Sequence, residues 1–173
     1  MMMITKLKEL MSLNGEMNAA EIESRFTQIA KLLFENFAIQ KGEKIYLFKE
    51  IEFYFYNKHH RDIITHPRFS DPLYWYVNDF GGIDLNFPSE ICKKDGIDST
   101  GKKVDKYILD DSSYFGGILI RQLVSKDKSD ILEGPWACAE LFRLHHALEQ
   151  DNNFPFLVER NNGMICLLYT SPS

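Results

Sequence analysis

Cysteine, basic charge and long apolar runs are all scarce in this chain, and each shortage removes a class of protein. The three cysteines, Cys92, Cys138 and Cys166, are odd in number and far apart. That fits neither a disulfide framework nor a paired zinc knuckle and leaves free thiols. No apolar run is long enough to span a bilayer, and the opening Met1 to Lys8 lacks the apolar centre and small-residue cleavage site of a signal peptide. A soluble, cytoplasmic chain with no membrane partner is therefore expected. Gly81-Gly82 and Gly116-Gly117 lack the flanking pattern of phosphate-binding loops. His59-His60 and His145-His146 are adjacent pairs, which point apart on a strand and do not share a helix face, so no metal is expected. There is no internal repeat and no coiled-coil heptad. The formal net charge of −5 also withholds the basic footprint that generic nucleic-acid binding uses.

What remains is a chain of 173 residues, 45% hydrophobic, which is the size of one domain with a substantial core. Ile4, Leu7, Leu10 and Met11 predict a short helix up to Leu13. Asn18-Ala19-Ala20-Glu21 reads as a capping box, and Ile22, Phe26, Ile29, Ala30 and Leu33 behind it predict a second helix to about Glu35. Gln40 to Glu43 supplies a turn into a long strand. Pro67 and Pro72 break regular structure after His66. Tyr74 to Val77 is a short strand, and Ile83, Leu85 and Phe87 form the next, joined either as a hairpin or as one strand bent at the glycines. From Pro88 to Ser113 a long loop is predicted, with at most a short strand near Tyr107 to Leu109. Gly116 to Val124 reads as a central strand carrying one charge, Arg121. Gly134-Pro135 opens a helix with Ala137, Leu141, Leu144 and Leu148 on one face, and Phe154 to Glu159 is a last strand.

The long strand, from Ile45 to Tyr56, organises the rest. Alternation puts Ile45, Leu47, Ile51, Phe53 and Phe55 on one face and Tyr46, Phe48, Glu50, Glu52, Tyr54 and Tyr56 on the other. An apolar face belongs to the core. Two glutamates among aromatic rings, in a strand where Glu is disfavoured, point to a site, and Arg121 in its apolar strand calls for a carboxylate such as Glu50 or Glu52. Lys58-His59-His60-Arg61 is either a solvated turn or a small phosphate-touching patch, the turn being the commoner case. Tyr74-Trp75-Tyr76 is more often core than a binding box.

Glu52-Phe53-Tyr54 in a strand, Asp62-x-x-x-His66, Leu73 to Tyr76, Asn86, Gly117 to Leu123 and Glu133-Gly134-Pro135, in this order and spacing, resemble the 3-methyladenine (alkyladenine) DNA glycosylase family. The likeness runs from about Phe26 to Gly163 at low identity. It implies an α+β fold, a mostly antiparallel curved sheet or partial barrel of the formyltransferase C-terminal type with flanking helices. It also implies a monofunctional, monomeric enzyme of base excision repair. That enzyme flips an alkylated purine out of double-stranded DNA and hydrolyses its N-glycosidic bond with activated water, without cofactor or metal. By this resemblance Glu52 is the catalytic base, and Tyr54, His66 and Tyr76 sandwich the base. Asn86 floors the pocket and Arg121 contacts or supports the DNA backbone. The family's wedge tyrosine falls on Asp79 without a gap or on Phe80 with a shift of one residue, and the loop after the histidine is shortened to Pro67-Arg68-Phe69-Ser70-Asp71. No lysine stands where a Schiff-base nucleophile would. The alternative is an inactive nucleoside- or protein-binding module of the same fold, which the acidic balance and Asp79 favour. Cys166 to Ser173 resembles a translated sequencing adapter, so a single domain over 1–165, cut short of a basic strand region, is expected, with 166–173 a non-native tail.

Overall fold

The computed structural model describes residues 2–69, 71–143, 145, 147–148, 153–161 and 164–166. Part of the expected terminal tail, 167–173, lies outside them. Helix α1, Met2–Met11, buries Leu7, Leu10 and Met11. Helix α2, Ala19–Asn36, begins at the predicted capping box. The Asn18 side chain accepts from the Glu21 amide at 2.9 Å, and the Glu21 carboxylate accepts from the Asn18 amide at 2.8 Å, so two orphan donors of the first turn are satisfied reciprocally. Ile22, Phe26, Ile29, Leu32 and Leu33 form its buried stripe. The chain then passes directly into β1, Phe37–Lys41, a strand absent from the sequence reading because Phe37-Ala38-Ile39 is a short apolar run with no alternation to mark it.

Gly42, at φ 59°, turns the chain into β2, Lys44–Asn57, which lies antiparallel along β8, Phe115–Ser125. The register shifts between Phe48 and Glu50 and again between Glu50 and Ile51. Irregularity of this kind moves a strand's apolar set from one face to the other. Tyr46 and Phe48 therefore lie in the core together with Phe55, and with Ile51 and Phe53 packed against it. The strict alternation predicted above is corrected at this point: Tyr46 and Phe48 do not share the face of Glu52 and Tyr54. Phe26, Phe53 and Phe87 stack beneath that strand, with centroids 4.5 and 5.9 Å from Phe26.

Strand β3, His60–Arg61, folds back on β2. Lys58 pairs with Glu16 at 2.8 Å, and His60 sits between the Phe55 carbonyl and Glu23, so this segment is a packed turn. Strands β4, Trp75–Val77, and β5, Ile83–Asn86, form a hairpin. The expected long loop instead contains a two-stranded sheet of β6, Cys92–Ile97, and β7, Lys103–Ile108. Its lysine and aspartate alternation carries no apolar period to betray it. After β9, Ile131–Glu133, helix α3 is only Pro135–Ala139, followed by a 3-10 turn at Glu140–Phe142 that buries Leu141 and Phe142. The longer helix predicted there is not formed: Arg143 is extended and Leu148 is exposed, while Leu144 lies outside the described residues. Strands β10, Phe156–Asn161, and β11, Met164–Cys166, complete the nine-stranded sheet, whose main path runs β11-β10-β1-β2-β8-β5-β4. The fold is α+β, a curled antiparallel half-barrel with few helices.

Among the described residues no helix is long and apolar enough to cross a membrane, and no three His, Cys, Asp or Glu side chains gather as a metal site. Cys138 is buried and free, and burial pushes its thiol up to about 12, which makes it an inert core residue.

Candidate functional site

Register across the sheet assembles the site. Glu52 on β2 faces Leu119 on β8, Leu119 faces Asp84 on β5, and Asp84 faces Tyr76 on β4. Directly opposed residues of antiparallel strands share a face, so these four side chains form one row. The next row is Tyr54, Gly117 and Asn86. Here the two glycines of β8 find their use. A Cβ at Gly116 would stand 2.0 Å from the Tyr54 carbonyl oxygen, and one at Gly117 would crowd the Arg68 guanidinium and the Asn86 amide at 3.2 Å.

Over these rows lies a cavity of about 180 Å³, lined by Tyr54, Thr65, His66, Arg68, Phe80 and Trp136 among others. Pockets for drug-sized ligands run to roughly 300–1,000 Å³, so this one suits a single base and not a whole nucleotide. Three of the predicted residues meet here. Tyr54 forms the wall, while His66 and Phe80 approach each other with ring centroids 5.5 Å apart. Phe80 is 71% exposed at the rim, whereas Asp79 is exposed without lining the cavity. Of the two wedge positions the sequence left open, the one at the cavity is Phe80. Its loop is fastened: the Asn78 side chain accepts from the Phe80 and Gly82 amides, Trp136 donates to the Phe80 carbonyl at 2.8 Å, and Arg143 donates to the Gly81 carbonyl at 2.8 Å.

Tyr76 and Asn86 do not line the cavity. Arg68 stands between them and the opening. Its guanidinium lies over the Tyr76 ring, 4.5 Å from the centroid, and its Nη1 donates to Asp84 Oδ2 at 2.5 Å and to Asn86 Oδ1 at 3.2 Å. Arg68 is 5% and Asp84 2% exposed. The other Asp84 oxygen accepts from the Asn78 side chain at 3.0 Å. The Asn86 amide nitrogen and the Thr65 hydroxyl are buried without a hydrogen-bond partner. Neither Arg68 nor Trp136 figured among the sequence candidates. One signal was available: Asp84 between Ile83 and Leu85 in an apolar strand requires a buried cation, and Arg68 was the nearby arginine in a broken loop.

Glu52 lies beside this cavity and not in its lining. Arg121 reaches it from β8, with Nη1 2.5 Å from Glu52 Oε2 and Nε 3.0 Å from Glu50 Oε1, the pairing the sequence called for. Charge-assisted bonds of this kind fix a carboxylate's orientation, and they raise the guanidinium above its ordinary value. Burial first, and then the neighbouring Glu52 carboxylate, raise the Tyr54 hydroxyl well above the usual tyrosine range. Burial also raises Tyr76, against the opposing charge of Arg68. The arrangement can orient water on an acidic group at the edge of a small aromatic-walled cavity. No protein-family model, curated protein or solved structure matches the chain.

Proposed function

We propose that the protein is a monofunctional N-glycosylase that flips a damaged purine from duplex DNA and hydrolyses its N-glycosidic bond, alkylated purines being the class the sequence resemblance implies. One observation carries this reading: Glu52, oriented by Arg121, stands two residues along the same strand face from Tyr54, which walls a base-sized cavity with His66 and Phe80. N-glycosidic cleavage passes through an oxocarbenium-like state, so a carboxylate is needed both to orient and deprotonate water and to offset the developing positive charge. The base has to leave the stack, and a cavity of this volume, together with an exposed ring at its rim to hold the gap, fits that requirement. Glu52 would act as the general base, with Tyr54 and His66 as the stacking surfaces.

The test is release of free base from duplex oligonucleotides carrying a single hypoxanthine or 3-methyladenine. Expected are base release with the strand left intact until alkali treatment, and a loss of about 10²–10⁴-fold in Glu52→Gln, the usual size of a general-base contribution. Wild-type chain that liberates no base from either duplex ends the proposal. A second reading, a nucleoside-binding module without turnover, draws on Glu52 lying outside the cavity lining. Nucleoside-dependent thermal stabilisation unaccompanied by hydrolysis would select it.

A further inference from the structure

We infer that the turn at Ile63 and Ile64 is a second DNA-inserting element, which enters the base stack beside the lesion while Phe80 holds the gap left by the flipped base. The inference rests on the base-excision reading and concerns how the same site opens a duplex.

Large apolar side chains left in water call for a partner when they gather around one opening. Ile63 is 92% and Ile64 67% exposed, and Phe80 and Trp136 are 71% and 66% exposed. Ile64, Phe80 and Trp136 all line the cavity of about 180 Å³, and Ile63 is the neighbour of Ile64 in the chain. The turn that carries the isoleucines is fastened. It follows directly on β3, the Asp62 side chain accepts from the Ile64 amide at 3.0 Å, and the Asp62 carbonyl accepts from the Thr65 amide at 3.3 Å. Two β-branched side chains, stiff at χ1, are thus offered to solvent on an ordered turn, with little conformational freedom left to lose on insertion.

The shape of the patch selects its partner. A lipid surface or a protein partner is met by an unbroken apolar face. Here the apolar side chains border a hole of single-base size, whose wall also carries the Tyr54 and His66 rings. That combination fits a duplex opened at one nucleotide. Extruding a base costs stacking and pairing, and apolar side chains wedged between base steps fill the space so created and hold the duplex kinked. Phe80 sits between β4 and β5, whereas the isoleucines precede β4, so each loop can enter a step of its own.

The experiment uses the full chain and oligonucleotides carrying 3-methyladenine or hypoxanthine, either fully paired or in an unpaired bulge, with 2-aminopurine beside the lesion to report unstacking as a rise in fluorescence. Ile63→Ser combined with Ile64→Ser should slow single-turnover release from the paired duplex by about tenfold or more and suppress the fluorescence rise. Leucine at both positions should restore both. In the bulge the loss should shrink to about twofold, since little stacking remains to be broken. Ile63→Ser alone, at a position off the cavity lining, guards against a double variant that fails to fold, and it should lose about threefold from the paired duplex only. Paired-duplex release unaltered in both variants overturns the inference and leaves the base-excision reading standing. An equal loss from paired and bulged lesions does the same, because the turn would then be part of the base pocket. Unaltered release accompanied by a loss of self-association, or of binding to phosphatidylcholine vesicles, would assign the turn to a second copy or to a lipid surface and also overturns it. Wild-type chain that brightens 2-aminopurine without liberating base, and loses that signal in the double variant, removes the base-excision reading and keeps the insertion. Neither signal from wild-type chain overturns both.

Discussion

Arg68–Asp84 and Arg121–Glu52 are both guanidinium–carboxylate pairs closed at 2.5 Å, yet the side chains of the first are 4% and 2% exposed and those of the second 39% and 40%. The two stand on either side of Leu119 in the same sheet. Their difference separates two uses of one chemistry. Charges taken out of water are tolerated only while every partner is present, so the buried pair holds the fold and shapes the cavity floor. Charges left half in water cost little to keep apart, so the open pair leaves a carboxylate available to solvent and to a substrate.

Removing one member of each pair is the sharpest way to break this comparison. Arg68→Met should leave Asp84 as an uncompensated buried charge and destabilise the chain by about 3–5 kcal/mol, read as the shift in urea-unfolding midpoint at unchanged slope. A loss below about 1 kcal/mol would show that the buried pair is not the structural one. Tyr46–Asp130 offers an intermediate case, a core hydroxyl donating to a carboxylate at 2.8 Å. Burial first, then that bond, raises Tyr46 to about 12. The folded state therefore holds this proton more tightly than the unfolded chain. The resulting stability is complete below pH 10 and is lost as pH rises from 10 towards 12, in all about 2–3 kcal/mol for a shift of this size. Unfolding free energy measured across that window should fall, and Tyr46→Phe should flatten the fall. An unchanged slope in Tyr46→Phe would assign the alkaline loss elsewhere.

The same contrast explains what was readable from the sequence. The capping box at Asn18, the long strand β2, the central strand β8 and the pairing of Arg121 with Glu50 and Glu52 all follow from local pattern or from one misplaced charge. The curvature and the antiparallel character of the sheet came with the family resemblance. What was missed depends on relations between distant residues. The Tyr46 and Phe48 face inverts because the register of β2 against β8 slips near Glu50, and no single strand encodes a slip. Asp84 and Asn86 alternate with apolar residues along the chain, yet all four residues of β5 are buried, with Arg68 bonded to Asp84 from a loop 16 positions away. Trp136 read as the start of a helix, while its indole actually ties down the loop that carries Phe80.

Glu52→Gln carries the smallest expected effect on stability and therefore separates the two pairs most cleanly. Glutamine keeps the shape and can still accept from Arg121, and the side chain it replaces is 40% exposed, so solvent screens most of the lost attraction. Removing an exposed partner is worth about 0–1 kcal/mol, and Glu50 still engages Arg121 at 3.0 Å. The unfolding midpoint should hardly move while base release falls by about 10²–10⁴-fold, since an amide cannot take the proton from attacking water. If the variant instead loses several kcal/mol in urea unfolding, the Arg121 pair is a structural clasp like its buried neighbour. Glu52 would then lose its distinction as the chemical group of the site.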